Sequence, residues 1–148
     1  MKLVDLNVLL YAINRDAPQH EAALGWWESA LNGDESIGLP WVVLIGFLRL
    51  ATNPRVFQAP LASDTALGMV GEWLALEIVC LPTEKPEHWE TLNDLLSTAG
   101  TAGNLATDAH LAALALNHDA VLVSSDRDFA RFKGLRLEDP VSQGFHPC

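Results

Sequence analysis

Cysteine is nearly missing from this 148-residue chain: only Cys80, inside an apolar run, and Cys148, at the extreme C-terminus, are present. Two such thiols make neither a disulfide framework nor a CxxC metal site. No uninterrupted apolar run approaches the roughly 18 residues of a membrane span. The opening MKLVDLNVLLYAINRD is broken by Asp5 and Asn7 and has no small-residue cleavage site after it, so it does not read as a secretory signal. A cytoplasmic protein without a membrane segment is expected. GxxxxGK[ST], GxGxxG and GxSxG are all absent, which removes the usual NTPase, dinucleotide and serine-hydrolase readings. HEAAL at His20 to Leu24 starts like HExxH but places Leu24 where the second His belongs, so no zincin site exists. Basic residues are scarce, nine Lys and Arg against nineteen Asp and Glu, for a net charge of −10. An acidic surface keeps a protein soluble, yet affinity for a phosphate backbone normally comes from Lys and Arg. Six of the nine cations (Arg49, Arg55, Arg127, Arg131, Lys133, Arg136) lie beside the motifs described below, and a carboxylate cluster neutralised by metal would absorb part of the negative excess.

What is present is a core: 49% of residues are apolar, and the length suits one domain over residues 1–148, since domains run about 100 to 150 residues. Lys2 to Asp5 reads as a short strand and Asn7 to Ile13 as helical. Gln19 to Leu31 has apolar residues at helical spacing, with Asn32-Gly33 as a stop. Ser36 to Leu39 is a second strand, and Pro40 suits the first turn of the helix WVVLIGFLRLAT, which ends before Asn53-Pro54. Ser63 or Asp64 caps a helix to Leu76, Glu77 to Leu81 reads as a buried strand, and Glu87 to Thr98 is amphipathic. After the loop AGTAGN come an Ala-rich helix from Leu105 to Asn117, a strand in Ala120 to Ser125, a short helix at Asp128 to Phe132 and a last strand at Leu135 to Leu137. Strands alternating with helices predict an α/β fold around a mainly parallel sheet.

Ligands of open parallel sheets bind outside the carboxyl ends of the strands. Asp5 and Asp126 occupy such places, each following an apolar run that anchors its backbone. Asp108 falls in the first turn of the Ala-rich helix, where the dipole favours a carboxylate. Converging carboxylates repel one another unless they share a cation, and hard oxygen ligands suit Mg²⁺ or Mn²⁺. Such an ion binds a scissile phosphate and acidifies a water. Taken singly, each acid also has a plain structural role: a strand end, a complement to the helix dipole, a polar turn. His110 is two residues from Asp108, about 200° around a helix, so the two cannot share one ligand face. His20, His88, His118 and His146 have no partner that spacing identifies.

The strings VDLNVLLYA at Val4 to Ala12, HEAALGWWES, FLRLATNPRVF at Phe47 to Phe57, TDAHLAALAL at Thr107 to Leu116 and LVSSDRDFARFKGL at Leu122 to Leu135 together resemble the PIN domains, in particular the VapC-type ribonuclease toxins. The resemblance implies a three-layer α/β/α sandwich, Mg²⁺-dependent endonucleolytic cleavage of RNA, a homodimer, and inhibition by a small antitoxin. It assigns metal binding and catalysis to Asp5, Asp108 and Asp126, help with the metal to Asp128, and support of the site to Asn7. Arg49 and Arg127 are the candidates for contact with RNA phosphates.

One position departs from the pattern. The family's second acid, a Glu directly before the FLR segment, falls at Gly46, and no acid occurs between Ser36 and Ala62. A mid-helix glycine costs about 1 kcal/mol relative to Ala, so Gly46 serves either close packing or space for water at the metal. A degenerate PIN domain that binds protein partners with little nuclease activity is the first alternative. A haloacid-dehalogenase-like phosphatase is the second, weakened because Asn7 stands where that family needs a second Asp.

Overall fold

A computed structural model describes residues 1–100 and 102–143. Its strands are β1 (Lys2–Val4), β2 (Ile37–Gly38), β3 (Val79–Cys80), β4 (Val121–Val123) and β5 (Arg136–Glu138). They form one parallel sheet in the order β3-β2-β1-β4-β5. The helices are α1 (Leu6–Ile13), α2 (His20–Leu31), α3 (Trp41–Ala51), α4 (Ser63–Ala75), α5 (His88–Ala99), α6 (Ala106–Asn117) and α7 (Pro140–Gln143), with 3₁₀ turns at Gly103–Leu105 and Arg127–Arg131.

The chain runs outward from β1 to β2 and β3, then returns to place β4 on the other side of β1. Right-handed crossovers therefore put α1 to α4 on one face and α5 and α6 on the other. Packing agrees: α1 contacts α2 and α3, α3 contacts α4, and α5 contacts α6. The middle strands are the most apolar, with Leu3, Val4, Leu122 and Val123 fully buried, as a sheet covered on both faces demands. Helix α6 lies deep in the protein, with Ala109 and Leu111 through Ala115 buried. That is why its sequence is Ala-rich and hardly amphipathic.

Two expectations need correcting. Glu77 to Leu81 reads as a buried strand, but only Val79–Cys80 pairs, at the sheet's edge, and Cys80 is exposed. Edge strands pair on one side only, so an apolar run there stays short. Helix α4 begins as predicted, but Ala62 holds the cap position, and Asp64 accepts from its neighbour Thr65 N–H. The final turn α7, started by Asp139-Pro140, was not anticipated. Thr101, in the AGTAGN loop, and His146 and Cys148 lie outside the described residues.

Candidate active site

Sheet order reverses between β1 and β4, and both strands end there in polar residues. Val4 pairs with Val123, and the Asp5 N–H donates to the Val123 carbonyl at 2.9 Å. The next residues of each strand, Asp5 and the Ser124-Ser125-Asp126 turn, thus emerge side by side. At the centre sits Ser124, 4% exposed and the only buried polar side chain among the described residues. Its hydroxyl donates to Asp5 Oδ2 at 2.7 Å. Ser124 Oγ in turn accepts from Asn7 Nδ2 at 3.4 Å and from the Asp126 N–H at 3.0 Å. One donor and two acceptor positions are all a hydroxyl has, so Ser124 is fully satisfied and ties β1, α1 and the turn after β4 together. Sequence reasoning missed it; its spacing two residues before Asp126 was the available signal.

Asp5 also caps α1, its Oδ1 accepting from the Leu6 N–H at 2.8 Å. Asp126 caps the following 3₁₀ turn, its Oδ1 accepting from the Asp128 N–H at 2.9 Å. Asp108 arrives from the first turn of α6. The structure brings Asp108, Asp126 and Asp128 together, with one oxygen of each within 4.8 Å of the others. Asp5 adjoins this trio, each of its oxygens accepting one hydrogen bond and keeping a further lone pair. Asn7 bonds to the same turn twice: besides its bond to Ser124, its Oδ1 accepts from the Ser125 N–H at 3.5 Å.

Electrostatics single out the same place. Burial, then repulsion from Asp126, Asp5 and Asp128, pushes the Asp108 carboxyl up to about 6. Asp5 is also raised, by burial and further by Asp126, against the hydrogen bonds from Ser124 and Leu6. Among the described residues, the cation nearest to relieving this is Arg131, 3.9 Å from Asp128 and exposed, a pair of little strength. A trio of carboxylates that offers hard oxygens at close range, with Asp108 pushed towards its uncharged form, fits a divalent cation. Arg49, at the end of α3, and Arg127, between the two acids of the 3₁₀ turn, are exposed and make no ion pair among the described residues. Arg136 is bonded to Asp119 at 3.0 Å at the opposite end of the sheet and is removed from the site.

Gly46 is buried in α3, and a Cβ there would come within 2.7 Å of Leu6 Cδ2. Leu6 follows Asp5 directly. A side chain at 46 would have to displace the tip of the Leu6 side chain, where α3 packs against the first turn of α1. Cavity size does not find the site. A groove of about 860 Å³ is lined by Arg15, His20, Trp26 and Pro140 among others, but by none of the four carboxylates.

Comparison with known proteins agrees with this fold. The PIN domain profile matches residues 2–135. Ribonuclease VapC37 of Mycobacterium tuberculosis is 44% identical over 140 residues, covering 95% of this chain and 97% of that protein. Ribonuclease VapC33 of the same species is 45% identical over 143 residues, covering 97% and 100%. Among solved structures, VapBC2 from Rickettsia felis bound to a promoter DNA fragment superposes with a TM-score of 0.68 at 18% identity, covering 93% of this chain and 97% of that one. FitAcB from Neisseria gonorrhoeae gives 0.66 at 21%, covering 95% and 98%. At those identities the structural matches speak for the fold.

Proposed function

The chain belongs to the PIN-domain family, with VapC proteins as its relatives, and on that premise we propose that it is a metal-dependent endoribonuclease, the toxin of a toxin-antitoxin pair. The observation that carries this reading is the convergence of Asp108, Asp126 and Asp128 beside Asp5 at the point of strand-order reversal. We read residues 1–148 as one cytoplasmic domain acting on RNA, restrained by a cognate antitoxin and assembled as a homodimer. Exposed Trp41 and Ile45 on α3, at 54% and 59%, are the kind of apolar surface that partners cover.

Asp108, Asp126 and Asp128 would hold a Mg²⁺ or Mn²⁺, with Asp5 as the adjoining carboxylate. When bound, such an ion supplies charge for the scissile phosphate and lowers the pKa of a water. The chain's own groups do the positioning. Ser124 and Asn7 fix Asp5 and the turn that carries Asp126. Asp108 would hold such an ion as the carboxylate, with protons competing for it below about pH 6. Arg49 and Arg127 are free to meet RNA phosphates.

The test is cleavage of an oligoribonucleotide by the purified chain in Mg²⁺, in chelator, and by Asp108→Asn. Cleavage only by the parent in Mg²⁺ is expected; equal cleavage in chelator would refute the metal role. The alternative of a binding module draws on Gly46, where the family's acid is missing. Mn²⁺ uptake without cleavage of any RNA offered would favour it.

A further inference from the structure

We propose that Asp139 is a positioning residue for the carboxylate cluster, gripping the Ser124–Asp126 turn from the β5 side through the Ser125 hydroxyl; the inference rests on the cation-binding reading above. The turn follows β4, which lies between β1 and β5. From the β1 side it is held by Asp5 and Asn7, but at Ser125 that hold is weak, since the Ser125 N–H reaches Asn7 Oδ1 only at 3.5 Å. From the β5 side Asp139 Oδ1 accepts the Ser125 hydroxyl at 3.1 Å. Removing that bond leaves the residue immediately before Asp126 secured on one flank.

Asp139 is itself fixed for the task. Its Oδ1 also accepts from the Val141 and Ser142 N–H groups at 2.9 and 3.3 Å, and its Oδ2 from the Ser142 hydroxyl at 2.9 Å. Burial opposes its ionisation, but these bonds outweigh it and hold the carboxyl below its ordinary range. It stays an anionic acceptor that cannot swing into the cluster. Capping α7 explains the bonds to Val141 and Ser142. It does not require the bond to Ser125, which crosses to a different strand end.

The two roles separate by substitution. Ser125→Ala cuts the link and leaves the cap; Ser142→Ala trims the cap and leaves the link; Asp139→Ala removes both. Mn²⁺ binding to the full chain is measured by calorimetry, with thermal unfolding without metal as the control. Partners that orient metal ligands cost about tenfold or more in affinity when removed, so Ser125→Ala and Asp139→Ala should each weaken Mn²⁺ by about that factor. Ser142→Ala should lower the unfolding temperature and keep the parental affinity. Asp139→Asn, which retains an acceptor oxygen for Ser125, should recover most of the loss. Parental affinity in Ser125→Ala, or an equal loss in Ser142→Ala, overturns the inference while the cation site stands; these two variants decide it even if Asp139→Ala does not fold. A parent that takes up no Mn²⁺ brings down the cation reading and this inference with it.

Discussion

Helix α6 presents Asp108 to one polar cluster and His110, two residues on, to another, and the two clusters have opposite characters. On the far side, His110 Nδ1 lies 2.9 Å from His88 Nε2, and its Nε2 lies 3.6 Å from Glu84. Burial and the neighbouring His88 push the His110 pKa down, with Glu84 opposing. A neutral imidazole can donate or accept, so the loss of charge on His110 lets it bond to the His88 ring, although His88 Nδ1 stays without a partner among the described residues. On the near side, Asp108 is also pushed towards its uncharged form, by burial first and then by three other carboxylates. Carboxylates at neutral pH have no donors to exchange, and a cation is the remaining remedy. Burial of polar groups is common to both clusters; unmet charge of a single sign is what distinguishes a site.

Substitution on each side should sharpen that contrast. The largest effect is expected for Asp108→Asn, which should reduce Mg²⁺-dependent RNA cleavage by about 100-fold or more, several kcal/mol of transition-state stabilisation, while thermal stability without metal holds or rises because repulsion is relieved. Asp5→Asn should lose cleavage too, but with less gain in stability, because asparagine can still cap α1 yet keeps only one acceptor oxygen for the two bonds from the Leu6 N–H and the Ser124 hydroxyl. Parental cleavage by either variant would remove that residue from the mechanism.

Across the helix, His110→Ala should do the reverse. It strands His88 Nε2 and should cost about 1 to 2 kcal/mol in denaturant unfolding, with Mn²⁺ affinity unchanged. A matching loss of affinity would show that the two faces of α6 are not independent.

Gly46 offers a way to add charge to the near side. Gly46→Glu should tighten Mn²⁺ binding and raise cleavage at low metal concentration, whereas Gly46→Ala should leave affinity alone. Because a Cβ at 46 meets Leu6 Cδ2 at 2.7 Å, the fairer comparison adds Leu6→Ala to both. Unchanged metal dependence in the folded Glu variant would mean that a carboxylate at 46 does not reach the site.

The smallest expected effect is in pH. The folded Asp108 carboxyl, pushed up to about 6, lies above its ordinary value of 3.8, so in between the folded chain holds more protons than the unfolded one. Stability from this group is complete below about pH 4 and is lost as pH rises through about 6. Discounted for solvent screening, the apo parent should lose up to about 1 kcal/mol between pH 5 and pH 7.5 that Asp108→Asn retains. Metal affinity should move oppositely, falling below about pH 6 as protons compete for the oxygen. Equal pH slopes in parent and variant would contradict the assignment of the shift to Asp108.

Much of the architecture was legible because its causes are local. Apolar runs ending in Asp5 and in Ser124-Ser125-Asp126 mark strand ends, helical spacing marks α2 and α5, and Asp108 falls in a first turn wherever α6 packs. Strand exposure was not legible: EIVCL has the composition of a buried strand, and only sheet order puts it on an edge. The grip of Ser124 on Asp5 spans 119 positions in the chain, and that of Asp139 on Ser125 joins two neighbouring strand ends; no periodicity encodes such bonds. Gly46 illustrates the division most sharply. Its identity and its misfit with helix propensity are written in the sequence, but packing against Leu6 arises only once α1 and α3 meet. The residue types and periodicities along the chain determined a parallel α/β protein with acids at its strand ends. Which carboxylates face one another, and which also hold hydroxyls and helix caps, was decided by tertiary structure, because hydrogen bonds and Coulomb repulsion depend on distance in space.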